Sequence, residues 1–172
     1  SYLEEGMAIQ ESIQAKENLG VTLRSLGMFY HQLGDYSKAE ANYQRALRIF
    51  TDSGVRWYHG QTLAFLSLLH YHKGESQKAL EISQEGLTIA RGICDRLGEG
   101  WLLDSQGHAF SDLGILEEAK KSYQKALLLR QELDEIHKTA ESLAGLARLA
   151  LLEGELPKAK QFKPPCPRYD LA

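Results

Sequence analysis

Apolar residues along the chain fall at three-and-four spacing, broken by short glycine–acid punctuation, which predicts a series of amphipathic helices and no strand. Leu3, Met7, Ile9 and Ile13 form a first stripe, and Leu23, Leu26, Phe29, Tyr30 and Leu33 form a second. Gly34-Asp35 ends that helix, because glycine suits a left-handed helix terminus and Asp35 can cap the amides of the next. The next helix spans Tyr36 to about Asp52, with Ala39, Tyr43, Ala46, Leu47 and Ile49 facing inward, and Asp52-Ser53-Gly54 stops it.

The stretch LGDYSKAEANYQRAL, Leu33 to Leu47, returns at a fixed interval. Gly34, Gly74, Gly114 and Gly154 are 40 residues apart, each followed five residues later by an alanine: Ala39, Ala79, Ala119 and Ala159. Two further small-residue columns share the register, Gly27/Ser67/Gly107/Ala147 and Ala46/Gly86/Ala126. Small residues recur where helix axes approach within about 8–10 Å, so a bulky residue at Ala39 or Ala119 is expected to be worse than loss of any surface charge. Stepped back from Ala46, Leu47 and Ile49, the register reaches Gly6, Met7 and Ile9. Residues 1–19 therefore read as the second helix of a truncated unit. Full units follow at 20–59, 60–99 and 100–139, and a truncated unit at 140–163, together a repeat domain over 1–163. The proline-rich residues 164–172 read as an irregular tail.

The repeated residues resemble the tetratricopeptide repeat, whose pattern is W-x2-L-G-x2-Y, then A-x3-F, then P. Leu23-x2-Leu26-Gly27-x2-Tyr30 and Ala39-x3-Tyr43 carry the likeness in one unit, and Leu103-x2-Gln106-Gly107-x2-Phe110 with Ala119-x3-Tyr123 in another. Leucine replaces the tryptophan, no proline closes the units, and the period is 40 rather than 34. The resemblance implies an all-α, right-handed α-solenoid of antiparallel helix pairs. Such long-period repeats are similar to those of multidomain bacterial signalling ATPases and transcriptional activators, and of adaptors that bind extended peptides. A HEAT-like solenoid also has units of about 40–47 residues, but the glycine–acid turns and alanine columns disfavour it.

Composition narrows the function. Lys+Arg 20 against Asp+Glu 23, interspersed, gives a net charge of −3 and no basic face for a phosphate backbone, so direct nucleic-acid binding is not expected. No apolar run reaches the ~18 residues of a membrane span. Cys94, placed inside a helical pattern, and Cys166 in the tail do not form a disulfide framework, which predicts a reducing, cytoplasmic setting.

In a stacked solenoid the first helix of each unit lines the concave face. Its outward stripe comprises Arg24, Met28, His31 and Gln32, then Gln61, Leu68, Tyr71 and His72, then Trp101, Asp104, His108 and Asp112, ending at Arg148 and Leu152. This stripe is either a solvated face or a groove for a peptide or protein, and Met28, Leu68, Tyr71 and Trp101 are larger than a solvated face requires. The lysines and asparagines with which related domains clamp a terminal carboxylate are missing, since Arg24, Met28, Ala64, Leu68, Asp104 and His108 hold those places. Asp104, His108 and Asp112, at four-residue steps, read as a solvated acidic edge or a seat for a cation or a basic partner side chain. His31, His72 and His108 sit where stacked units could bring them together, but no histidine set has good ligand spacing, and His70 reads as a satisfied interior group. No cofactor and no catalytic residue are expected, because no nucleophile has a recognisable base and no phosphate loop follows a strand. The reading that results is a protein-interaction scaffold within a larger regulatory protein, or a segment that senses a small effector, with self-association through uncovered terminal helices as a further possibility.

Overall fold

The computed structural model describes residues 2–162, with side chains omitted at 2–4, 7–10 and 136–138. Its elements are α1 (Tyr2–Gln32), α2 (Tyr36–Ser53), α3 (Arg56–His72), α4 (Ser76–Gly92), α5 (Arg96–Asp112), α6 (Leu116–Glu132), α7 (Ile136–Leu152) and a single turn, α8 (Leu156–Ala159). Among the described residues no strand occurs. The fold is an all-α solenoid of antiparallel helix pairs. Starts of α2, α4, α6 and α8 fall at 36, 76, 116 and 156, and those of α3, α5 and α7 at 56, 96 and 136. The tail assigned to 164–172, with Cys166, lies outside the described residues.

The turn within each pair has one geometry. Gly34, Gly74, Gly114 and Gly154 take φ of 75–78°, the left-handed region where glycine carries no Cβ penalty. The next amide returns to the helix it leaves, as in Asp35 N to Tyr30 O at 3.0 Å and Glu75 N to His70 O at 2.9 Å. Asp35 then accepts from Lys38 N at 3.1 Å and caps α2.

Each pair closes on its alanine column. Ala39, Ala79 and Ala119 are wholly buried, as are Ala46 and Ala126. The tyrosines fill the space the small residues leave: a Cβ added at Gly27 would stand 2.6 Å from the Tyr43 ring, and one at Gly107 2.6 Å from Tyr123. Tyr123 is gripped from its other side by Gly145 of α7, where a Cβ would stand 2.5 Å away. His70, expected in the interior, is buried, with Nδ1 bonded to Glu75 at 2.7 Å and Nε2 3.6 Å from Glu40.

Two boundaries differ from the sequence expectation. A helix break near Gly20 was implied by the end of the first unit at residue 19, yet α1 runs unbroken from Tyr2 to Gln32. Gly20 is a packing glycine: a Cβ there would meet Phe50 at 2.7 Å. Its counterparts Gly60 and Gly100 likewise lie one turn inside α3 and α5. Leu26, Phe29 and Leu33, members of the second apolar stripe, are exposed, since among the described residues α1 packs on α2 and α3. The second boundary is Cys94, which does not lie within a helix but in the turn after α4, at φ 57°. Asp134 has the same φ after α6, and Gly54 has φ 71° after α2.

A left-handed conformation costs an L-residue about 1–2 kcal/mol, of which glycine's larger unfolded-state entropy returns about 0.5–1. Cys94→Gly is therefore expected to stabilise the fold by about 0.5–1 kcal/mol, raising Tm by roughly 2–4 °C per kcal/mol. Asp134→Gly should gain less, since aspartate tolerates this region better. Calorimetric melts of both variants beside wild type check this, and an unchanged or lowered Tm for Cys94→Gly would refute it.

Candidate functional site

The backbones of the first helices approach one another in succession, α1 to α3, α3 to α5 and α5 to α7, whereas among the described residues α2, α4 and α6 meet only through side chains, as Lys78 of α4 does with Glu40 of α2 at 3.5 Å. The stack therefore curves with α1, α3, α5 and α7 inside. On this face lies a cavity of about 330 Å³ lined by Met28, Ala64, Phe65, Leu68, Trp101, Asp104, Ser105, His108, Arg130 and Glu141. Five of these, Met28, Leu68, Trp101, Asp104 and His108, belong to the stripe read from the sequence. Its walls are apolar: Phe65 and Trp101 rings are 5.8 Å apart, and Phe65 stacks on Tyr43 at 6.2 Å and 11°.

Other stripe residues pair with one another beside it. Arg24 donates to Gln61 Oε1 at 2.8 Å and lies 5.0 Å from the Tyr58 ring centroid. His31 Nε2 and His72 Nδ1 are 2.8 Å apart, and burial holds both rings below the ordinary histidine pKa, His31 further through its neighbour. Tyr71 stacks on His108 at 4.9 Å, and His108 Nδ1 lies 2.8 Å from the Tyr123 hydroxyl. Arg148 donates to Tyr71 Oη at 3.1 Å and to Asp112 Oδ1 at 2.7 Å, so α7 reaches α3 across α5. Gln32 and Leu152 are exposed and do not line the cavity.

Of the acidic edge expected from Asp104, His108 and Asp112, only Asp112 is exposed. Asp104 is 5% exposed, ion-paired with Arg130 of α6 and accepting from Ser142 of α7 at 2.7 Å. Burial, partly offset by Arg130, raises its carboxyl to about 6. Asp112 is neutralised by Arg148. Burial first, then Arg148, lowers His108 to about 4, so its ring is neutral at pH 7. Among the described residues, no group of three or more His, Cys, Asp or Glu side chains could hold a metal ion.

Ala64, Phe65, Ser105, Arg130 and Glu141 are absent from the sequence-derived stripe. Arg130 carried a readable signal: stepping back 40 residues from it gives Ala90 and then Phe50, both 1% exposed. A charged residue in an interior column must find a partner. Arg130 is itself 1% exposed and lies 3.6 Å from Glu141 in addition to its pair with Asp104.

The titrations predict opposite pH effects. Unfolded, a histidine gains its proton below about pH 6.5, whereas His108 gains it only near 4 in the fold. The unfolded chain thus binds the extra proton between these values, and the fold loses stability as pH falls from 6.5 towards 4. Asp104, raised from 3.8 to about 6, binds its proton first in the fold and contributes stability as pH falls from about 6 towards 4. His108→Gln is expected to flatten the acid-side fall in Tm, by the equivalent of about 1–3 kcal/mol, and Asp104→Asn to steepen it. Melts across this range test both signs, and a His108→Gln profile parallel to wild type would contradict the first.

A family model described as tetratricopeptide repeat matches residues 1–52 and 18–92, and another of the same description matches 103–133. The regulatory protein AfsR of Streptomyces griseus is 32% identical over 88 residues, covering 51% of this chain but only 9% of that protein. The crystal structure of BtubC (BKLC) from P. vanneervenii shares the fold with a TM-score of 0.68 at 19% identity, over 90% of this chain and 70% of that one. With the first model spanning residues 1–92, more than half of the sequence, the chain belongs to the tetratricopeptide repeat family.

Proposed function

We propose that this chain is a protein-interaction scaffold, a repeat segment of a larger cytoplasmic regulatory protein that holds a peptide or partner domain on its concave face. Tetratricopeptide repeats generally mediate protein–protein interaction, and one relative is a regulatory protein. The observation that carries the reading is the cavity on the inner face, walled by Met28, Phe65, Leu68 and Trp101. Apolar groups gathered in a concavity are what a partner side chain buries against, and a few such anchors dominate interface energetics. Arg24, His31, Gln61, Tyr71, His72, Asp104, His108, Asp112 and Arg148 form the polar surround that would fix a partner's orientation. No helix among the described residues is long and apolar enough to cross a membrane, and the exposed free Cys94 suits a reducing compartment. No catalytic role is proposed.

A second reading, a small effector bound in the same cavity, is favoured by its volume of about 330 Å³, at the lower end of the ~300–1,000 Å³ of small-molecule sites.

Affinity capture separates these readings. The double variant Met28→Ala/Leu68→Ala trims two cavity walls that are only half buried, so its Tm should stay near wild type. Partners captured by wild type are expected to bind it at least ~10-fold more weakly, since interface anchors are each worth roughly 1–2 kcal/mol or more. Equal retention of every partner would remove the groove from the account, and stabilisation by a metabolite with no captured protein would favour the effector.

A further inference from the structure

Among the residues that line the cavity, Arg130 and Trp101 carry buried donors without acceptors. Nε and Nη1 of Arg130 have no hydrogen-bond partner among the described residues, and neither has Nε1 of Trp101, although all three atoms are buried. The neighbouring polar side chains hydrogen-bond to other groups instead. Asp104 Oδ1 takes the Ser142 hydroxyl at 2.7 Å and Oδ2 takes Arg130. Ser105 Oγ is 2.6 Å from Ser67 Oγ, and His108 Nδ1 is 2.8 Å from the Tyr123 hydroxyl. Buried donors left without acceptors are unfavourable, so a guest that brings an oxygen gains at this place.

The guest's charge follows from what surrounds the guanidinium. Arg130 already faces Asp104 and Glu141, the latter at 3.6 Å. A carboxylate guest would place a further negative group beside Arg130 and the buried Asp104, and an ammonium guest would meet Arg130 itself. A neutral oxygen fits. Its carrier must also cover Met28, Phe65 and Leu68, which need an apolar group.

Taking the groove reading above as its basis, we propose that the cavity accepts one bulky apolar side chain of an internal partner segment together with a main-chain carbonyl oxygen, which Arg130 binds. The recognised element is thus a residue within a chain and not a chain end, and Arg130, carried by a second helix, supplies the polar contact from behind the groove.

Capped amino acids test this with the intact chain. In ¹H–¹⁵N spectra the Trp101 indole N–H reports on the cavity, while that of Trp57, 45% exposed and absent from the cavity lining, is the control. N-acetylphenylalaninamide is expected to move the Trp101 signal saturably with a millimolar Kd and to leave Trp57 in place. N-acetylglycinamide should not move it, and N-acetylphenylalanine, with its free carboxylate, should bind at least ~5-fold more weakly. Leu68→Trp fills the cavity from its rim and should abolish the response with Tm retained, and Met28→Trp serves the same purpose should Leu68→Trp not fold. The proposal is overturned if the phenylalaninamide gives no saturable shift at Trp101, if the carboxylate binds equally or better, or if both filling variants respond as wild type. Amide binding without any captured partner would leave the cavity chemistry standing and remove the scaffold reading. Captured partners without amide binding would do the reverse.

Discussion

The contact on which the rest of this solenoid depends is a tyrosine ring laid against glycine backbone. Tyr43 lies on Gly27 and Tyr123 lies between Gly107 and Gly145, each at distances that leave no room for a Cβ. Without that atom the ring reaches the facing backbone, and helices of a pair approach closely enough to bury both the ring and the alanine column beside it. Tyr123 joins α6 to α5 and also to α7, so one residue sets spacing within a pair and between pairs. Its hydroxyl, whose pKa burial pushes up, then meets Nδ1 of His108. Packing and groove chemistry are connected through a single side chain.

The second full unit solves the same packing problem differently. Ser83 stands where the other two full units carry Tyr43 and Tyr123, and it is wholly buried, its hydroxyl returned to Leu80 O at 2.8 Å. Ser67 and Ser105 meet at 2.6 Å, and Ser67 also donates to Ala79 O at 2.7 Å. Small hydroxyl-bearing residues thus satisfy each other at the close approach, while the aromatic bulk of this region sits on the inner face as Phe65 and Trp101. This unit supplies Ala64, Phe65 and Leu68 to the cavity wall, and the third unit supplies Trp101, Asp104 and Arg130.

Much of the fold is legible in the sequence because it is written in residues that report backbone geometry. Left-handed glycines and buried alanines specify where pairs turn and close, and both recur at a fixed step. Two details escape that reading: the unit boundary between residues 19 and 20 falls inside α1, where Gly20 meets Phe50, and Cys94, placed inside a helical pattern, turns at φ 57°. Residue type alone does not separate a packing glycine from a turning one. The site was legible only on one helix of each pair. Met28, Leu68 and Trp101 share a face by spacing, but the burial of Asp104 requires knowing that α6 brings Arg130 and α7 brings Ser142 to it. Those contacts lie 26 and 38 residues away in sequence, beyond any helical period.

The Asp104–Arg130–Ser142 cluster is not accounted for by stability. Desolvating two charges costs several kcal/mol per ion before their attraction returns it, and well-packed apolar residues of similar volume are often as good or better. The chain itself supplies the comparison, since Phe50 and Ala90 fill the column of Arg130 without any charge. What the cluster adds is directional: Asp104 takes one donor from α6 and one from α7, so its two oxygens are both satisfied only when those helices hold one register against α5. An apolar contact would tolerate sliding by a fraction of a turn, whereas hydrogen-bond geometry weakens steeply away from its optimum. The cluster therefore holds α5, α6 and α7 in one register where Asp104 and Arg130 line the cavity.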